Sequence, residues 1–375
     1  MLLKKGLLIA IFILIFSFNA YSADEPGLSA ASAVLINADT LQVIYEKDAY
    51  SRRSMASTTK IMTSIIAVES GRLSQTVTAG NILTEGSSIG LKQGYKMSLE
   101  TLVWGMLLES GNDAACLTAS FLCESEEKFA DLMNIKAAEI GMKDTNFVTA
   151  SGLDSKEHYS TAYDMALLGA YAIKNPVFRE MCSTRIKTVS FFEPQISMTF
   201  TNHNKLLGSA DGVFGIKTGF TKKSGRCLVT CCERDNITLV AVTLNAGDDW
   251  NDHLKLYDYG FSCSKAENAL LRIPESIRIY GGESSVLPID SQCSNLIYSY
   301  SGEKGEIRQK IYLPAFLYAP IDKGEIIGKA ELLMNGRVIA SSELIAGESI
   351  RAIAPTEDDS ILERLYFKFK KRLLN

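Results

Sequence analysis

Met55-Ala56-Ser57-Thr58-Thr59-Lys60-Ile61-Met62-Thr63 is a short polar step that runs straight into an apolar stretch. Ile61, Met62, Ile65 and Ile66 recur at helical spacing, which predicts a buried helix with Ser57 in its first turn. Residues three apart on a helix share a face, so the Lys60 amine stands beside the Ser57 hydroxyl. Once burial strips its proton, that amine can act as the hydroxyl's base. Free N–H groups at the helix start favour negative charge developing nearby. An isolated S-x-x-K also arises where a serine merely caps a helix and its lysine stays in water. Two further motifs, Ser110-Gly111-Asn112 and Lys217-Thr218-Gly219, follow in that order and tip the reading toward chemistry.

On the N-terminal side, Ser32 to Ile36 and Leu41 to Tyr45 are β-rich and flank Asn37-Ala38-Asp39-Thr40, a hairpin pattern. Residues 1–22 read as a secretory signal: Lys4 and Lys5, an apolar run from Leu7 to Phe16, then Ala20-Tyr21-Ser22 as a small-x-small cleavage site. The apolar run is too short to span a bilayer. An exported chain is expected, and its formal charge of −4, made more negative by loss of the two lysines, argues against nucleic acid as a partner. A hydrophobic fraction of 46% describes an ordinary globular protein.

On the C-terminal side, Ser98 caps a predicted helix carrying Leu99, Leu102, Val103, Met106 and Leu107. The pattern breaks at Ser110-Gly111, and Asn112 opens the next helix, so Ser110 and Asn112 fall on a short turn where polar side chains can face a cleft. Further helices are expected over about 126–140, after Ser160-Thr161-Ala162, and through Leu254, Tyr257 and Phe261. Gly215 to Thr218, Arg226 to Cys232 and Ile237 to Leu244 read as strands. Strands at both ends with helices between imply an α+β domain over 23–264, an antiparallel sheet closed by its N-terminal hairpin plus a helical cluster.

Residues 265–355 read as a small β domain, with strands at Ile277–Tyr280, Leu296–Tyr300, Ile307–Leu313, Glu325–Ala330, Ala330–Met334 and Arg337–Ala340, the last pair turning at Asn335-Gly336. Pro355 and Glu357-Asp358-Asp359 form a linker. In 356–375, Ile361, Leu362, Leu365, Tyr366, Phe369 and Leu373 gather on one side of a helix, and Glu363, Arg364, Lys368, Lys370 and Lys371 on the other. Such a cationic amphipathic helix suits the surface of an anionic bilayer, which would hold the protein on the outer face of the cytoplasmic membrane.

His158, His203 and His253 have no neighbouring ligand at metal spacing, so structural roles are expected, with His203 alone approaching the cleft. Cys116 and Cys123 stand about 10 Å apart along a helix. Cys227 and Cys231 stand about 13 Å apart along a strand, and Cys231 and Cys232 face opposite ways. Mostly buried free thiols are expected.

Gly86-Ser87-Ser88-Ile89-Gly90-Leu91, Ser110-Gly111-Asn112-Asp113-Ala114-Ala115, His158-Tyr159-Ser160-Thr161-Ala162, Asn202-His203-Asn204-Lys205-Leu206-Leu207 and Gly215-Ile216-Lys217-Thr218-Gly219-Phe220-Thr221 join the first motif in a wider pattern. With them the chain resembles the D-alanyl-D-alanine carboxypeptidases, the low-molecular-mass penicillin-binding proteins of bacterial cell-wall maturation. The resemblance implies the penicillin-recognising serine transferase fold. It assigns Ser57 as the nucleophile, Lys60 as its base and Ser110 as a proton relay to the leaving amine. Asn112 would hold the substrate backbone, Lys217 and Thr218 the terminal carboxylate, and the amides of Ser57 and Phe220 the oxyanion. It further implies peptidoglycan stem peptides as substrate, covalent capture of β-lactam antibiotics, and no metal or cofactor. A class A β-lactamase shares S-x-x-K and K-T-G but activates its deacylating water with a glutamate loop; Thr145-Asn146-Phe147-Val148-Thr149, where that loop would fall, offers no glutamate. A non-catalytic wall-binding scaffold is the other alternative, and intact Ser57, Lys60, Ser110 and Lys217 weigh against it.

Overall fold

The computed structural model describes residues 25–82, 84–302 and 304–353. The signal and the C-terminal amphipathic segment lie outside the described residues. The first part of the chain runs β1 (Ser32–Asn37), β2 (Val43–Lys47), a 3₁₀ turn (Ala56–Thr59), α1 (Lys60–Glu69), β3 (Thr76–Thr78), β4 (Lys96–Ser98), α2 (Leu99–Leu108) and α3 (Asn112–Cys123). It continues through α4 (Glu126–Ile140), α5 (Ala162–Ala172), α6 (Pro176–Ser183), β5 (Ile186–Ser190), β6 (Ser197–Thr201), β7 (Val213–Thr221), β8 (Gly225–Arg234), β9 (Ile237–Ala246) and α7 (Asp249–Ser262).

The main sheet has the order β2-β1-β9-β8-β7, every neighbouring pair antiparallel, so the N-terminal hairpin does close it. Its central strands are apolar along their length because both faces are covered. Val240 and Val242 of β9, with Cys227, Val229 and Cys231 of β8, join the core under the helical cluster. Leu239 and Ala241, with Cys232, face Leu256 and Tyr257 of α7. Cys231 and Cys232 thus fall on opposite faces. His253 clamps α7 to the sheet, its ring nitrogens 2.6 Å from Thr230 Oγ1 and 3.0 Å from Thr243 Oγ1. Burial pushes its pKa down to about 3, so it stays neutral.

The second part comprises β10 (Ser264–Leu270), β11 (Ser276–Tyr280), β12 (Val286–Ser291), β13 (Asn295–Ser301), β14 (Ile307–Tyr312), β15 (Leu317–Tyr318), β16 (Ile326–Met334) and β17 (Arg337–Ala346). A six-stranded sheet, β14-β16-β17-β12-β11-β15, and the β10–β13 pair enclose a core of their own around Ile279, Leu287, Tyr298, Ala330 and Leu344. The two strands expected on either side of Ala330 are one strand, β16, and it turns into β17 at Asn335 and Gly336 with φ of 51° and 82°. A buried polar seam joins the domains. Ser299 Oγ accepts from Asn37 Nδ2 at 3.0 Å and donates to Asp39 Oδ2 at 3.3 Å, and Ser301 N donates to Gln42 Oε1. Among the described residues, no helix is long and apolar enough to cross a membrane.

Candidate active site

Ser57 lies in the 3₁₀ turn and Lys60 opens α1, so the two meet at the tighter spacing that a 3₁₀ turn gives residues three apart. Lys60 Nζ donates to Ser57 Oγ at 2.9 Å, Asn112 Oδ1 at 2.7 Å and the Ser151 carbonyl at 2.6 Å. All three acceptors are neutral. Burial, and after it the neighbouring Lys217 charge, push the Lys60 ammonium well below its ordinary range, against weaker pulls from Cys116 and Asp113. A lysine in that state is a base. The residue before the serine, Ala56, is in left-handed backbone at φ 48°, as is Ser110 at φ 62°, a conformation that costs on the order of 1 kcal/mol in each case.

The Ser151 carbonyl reaches Lys60 only because Gly152 carries no side chain. A Cβ there would stand 2.0 Å from the Ala56 carbonyl oxygen, and the backbone at 152 is left-handed at φ 88°. Thr63 Oγ1 donates to the Ala150 carbonyl at 2.6 Å and seats the same segment on α1. His158, beside Thr59 Oγ1 at 2.8 Å and accepting from Val148 N at 3.0 Å, props that segment from behind, and burial lowers its pKa to about 4.

Ser110 and Asn112 occupy the expected turn between α2 and α3. Asn112 is engaged at both ends of its amide, accepting from Lys60 and donating to the Glu85 carbonyl at 2.6 Å. The next residue, Asp113, accepts from Ile89 N, Leu91 N and Ser88 Oγ and so ties the 86–91 loop over the turn.

The third wall is the edge strand β7. Gly219 lets it pass close to the serine turn, since a Cβ at 219 would lie 3.1 Å from both the Ser57 and Thr58 amide nitrogens. Lys217 is buried, donates to the Thr218 carbonyl at 3.0 Å, and has its pKa lowered to about 7 by burial, opposed by Glu109. Ser57, Ser87, Ser110, His203, Thr218 and Phe220 line one cleft of about 490 Å³ with Arg226, Asp249 and Trp250. His203 approaches Glu109 Oε2 at 3.5 Å from the rim. All seven site residues read from the sequence therefore come together. Sequence reasoning did not single out the Ser151 carbonyl, Asp113, or Arg226, which donates to buried Asp249 at 2.8 Å. Asp113 alone carried a signal, its place directly after Ser110-Gly111-Asn112. Among the described residues no group of three His, Cys, Asp or Glu side chains forms a metal-ligand set.

This site can open an amide: a hydroxyl 2.9 Å from a buried lysine amine whose charged form burial disfavours, a second hydroxyl across the cleft, backbone amides at the serine turn, and a buried lysine on the strand edge. Comparison with known proteins agrees. Residues 19–248 match the D-alanyl-D-alanine carboxypeptidase family, and residues 272–352 match the penicillin-binding protein 5 C-terminal domain. The chain is 30% identical over 370 residues to D-alanyl-D-alanine carboxypeptidase DacF of Bacillus subtilis, covering 93% of this chain and 94% of that protein. It is 30% identical over 345 residues to DacA of Escherichia coli, covering 87% and 84%. Penicillin binding protein 5 from Haemophilus influenzae superposes with a TM-score of 0.62 at 26% identity, over 88% of this chain and 99% of that one. The Streptomyces K15 DD-transpeptidase does so at 0.61 and 29% identity, over 64% and 100%.

Proposed function

Since the chain belongs to the D-alanyl-D-alanine carboxypeptidases, and is a serine-type, penicillin-binding enzyme of that family, we propose that its acyl group is carried on Ser57. The observation that carries this reading is the Lys60 amine, fully buried, bonded only to neutral oxygens and 2.9 Å from the Ser57 hydroxyl. Lys60 takes the hydroxyl proton as Ser57 Oγ attacks the carbonyl of the penultimate D-alanine. The oxyanion falls to the amides of Ser57 and Phe220. The proton passes through Ser110 to the leaving D-alanine amine, and water then cleaves the ester with the same base. Lys217 and Thr218 hold the terminal carboxylate. Asn112 orients Lys60 and meets the substrate backbone. The natural substrate on this reading is the pentapeptide stem of peptidoglycan, and β-lactams acylate the same oxygen. Changing Ser57 to Ala should abolish D-alanine release and penicillin labelling together; an adduct mapped to another serine would overturn the assignment.

We further propose that the enzyme works from the outer face of the cytoplasmic membrane, held there by residues 356–375. The support is the sequence pattern, five cations against Glu363 between 360 and 375, four of them (Arg364, Lys368, Lys370 and Lys371) opposite an apolar stripe. A chain ending at Ile353 should leave anionic vesicles while releasing D-alanine normally in solution, and a shortened chain that still pellets with vesicles would count against the anchor.

A further inference from the structure

Tyr280, Phe316 and Tyr318 form an aromatic cluster on the outer surface of the β domain. Ring centroids lie 5.3 Å apart for Tyr280–Phe316 and 5.4 Å for Phe316–Tyr318, both pairs edge-on. Phe316 is 43% exposed and Tyr280 38%. Along β11, Arg278 and Tyr280 point outward while Ile277 and Ile279 point into the core, and exposed Val286 pairs with Arg278 on the outward face. Large apolar side chains left in water at one place mark a surface made to meet something.

The chain leaves the domain at this same place. Gly282 bridges to Ala352, and Ile353, itself 52% exposed, donates from its amide to the Gly281 carbonyl at 3.0 Å. Residues 354–359 then separate Ile353 from the cationic amphipathic stretch that starts at Ser360. A linker of that length reaches at most about 25 Å, so a surface that captures the start of the stretch comes within that distance of Ile353, whose amide is bonded to Gly281 next to Tyr280. Arg278, which donates to Tyr280 Oη at 3.3 Å, and exposed Arg351 add positive charge at its rim, with Glu283 the acidic neighbour.

We propose that this aromatic face is a second lipid-contacting surface, its rings entering the headgroup layer of an anionic bilayer next to the anchored segment. Aromatic side chains with an apolar body and a polar tip settle at that depth, and arginine at the rim pairs with lipid phosphate. The inference rests on the reading of 356–375 as a surface helix. With that segment bound, the face meets lipid at high local concentration, and two attachments instead of one fix the tilt of the β domain.

The test uses the mature full-length enzyme and vesicles of equal parts phosphatidylglycerol and phosphatidylcholine. Tyr280→Ser with Phe316→Ser should weaken partitioning by roughly ten-fold, as expected for two partly buried aromatic side chains, with penicillin labelling and D-alanine release unchanged. Tryptophan fluorescence of a Phe316→Trp enzyme should be quenched by brominated lipid chains beyond the quenching seen in the parent. A double variant that binds as tightly as wild type, while a chain ending at Ile353 does not bind, would overturn this proposal and leave the anchor standing. Conversely, a chain ending at Ile353 that still binds, and loses binding on the double substitution, would support the face and remove the anchor. A lipid-free dimer abolished by the double substitution would assign the face to a second copy and overturn the proposal.

Discussion

Lys60 and Lys217 in the catalytic domain, and Lys304 and Lys329 in the β domain, meet opposite surroundings. The first pair is buried, and the hydrogen bonds of their amines go to a hydroxyl, an amide oxygen and two backbone carbonyls. The second pair stands in solvent against Glu267 and Glu331, and those carboxylates raise both lysine pKa values. Burial among neutral acceptors turns a lysine into a reagent that can give up its proton, whereas a carboxylate partner in water fixes the charge and leaves only a surface brace. The contrast extends further. Buried charged groups in the catalytic domain include Asp113, Asp164, Asp249 and Asp252, while the β domain buries only Glu331 among its described charged residues.

The strongest way to break this contrast is to make Lys60 unable to deprotonate. Lys60→Arg keeps the positive group and should lower kcat/KM for D-alanine release by roughly a hundred- to ten-thousand-fold, whereas Lys304→Arg should leave it unchanged. Steady-state kinetics on the two variants decides it, and comparable losses would erase the distinction.

A pH series sharpens the comparison at Lys217. On the proposed mechanism its charged form attracts the substrate carboxylate, and that form is lost as pH rises through about 7. For a peptide ending in a free carboxylate, kcat/KM should therefore decline above that pH, and for the same peptide with an amidated end it should not. Stability gives the complementary reading. Between about 7 and the ordinary lysine value of 10.5, the unfolded chain binds a proton at this residue that the folded chain does not. Resistance to denaturant should rise with pH across that window, and Lys217→Met should flatten the rise. A slope identical in the variant would place the proton elsewhere.

The smallest effect is expected at the β-domain surface. Lys304→Met removes an exposed pair with Glu267 and should leave the denaturation midpoint unchanged within the precision of the measurement. A clear loss in a denaturation experiment would mean that this domain too depends on its charges.

What could be read from the sequence follows the range of the interactions. Ser57 and Lys60 are three residues apart, so their contact is local and follows from helix geometry. The apolar strands β8 and β9 were legible because both their faces are buried. The α6 helix and the β5–β6 hairpin were not, because β5 and β6 are mostly exposed and their polar alternation gives little signal. Strands β10 and β12 were hidden in the same way, by outward polar residues and by Pro288. The third acceptor of Lys60, the Ser151 carbonyl, lies far along the chain, and a backbone atom leaves no trace in side-chain identity. The spacing of the motifs placed Ser57 beside Lys60, but it could not say which groups surround the amine.

The order β2-β1-β9-β8-β7 has a consequence for how the protein comes into being. The first strand's long-range neighbour is the last strand of the same sheet, Ile237–Ala246. A chain that emerges N-terminus first cannot complete this sheet until Ala246 has appeared. Pairing between such distant segments is slow to form, and β1 has no long-range partner in the sheet before β9 arrives. The topology thus ties completion of the sheet to the delivery of its last strand.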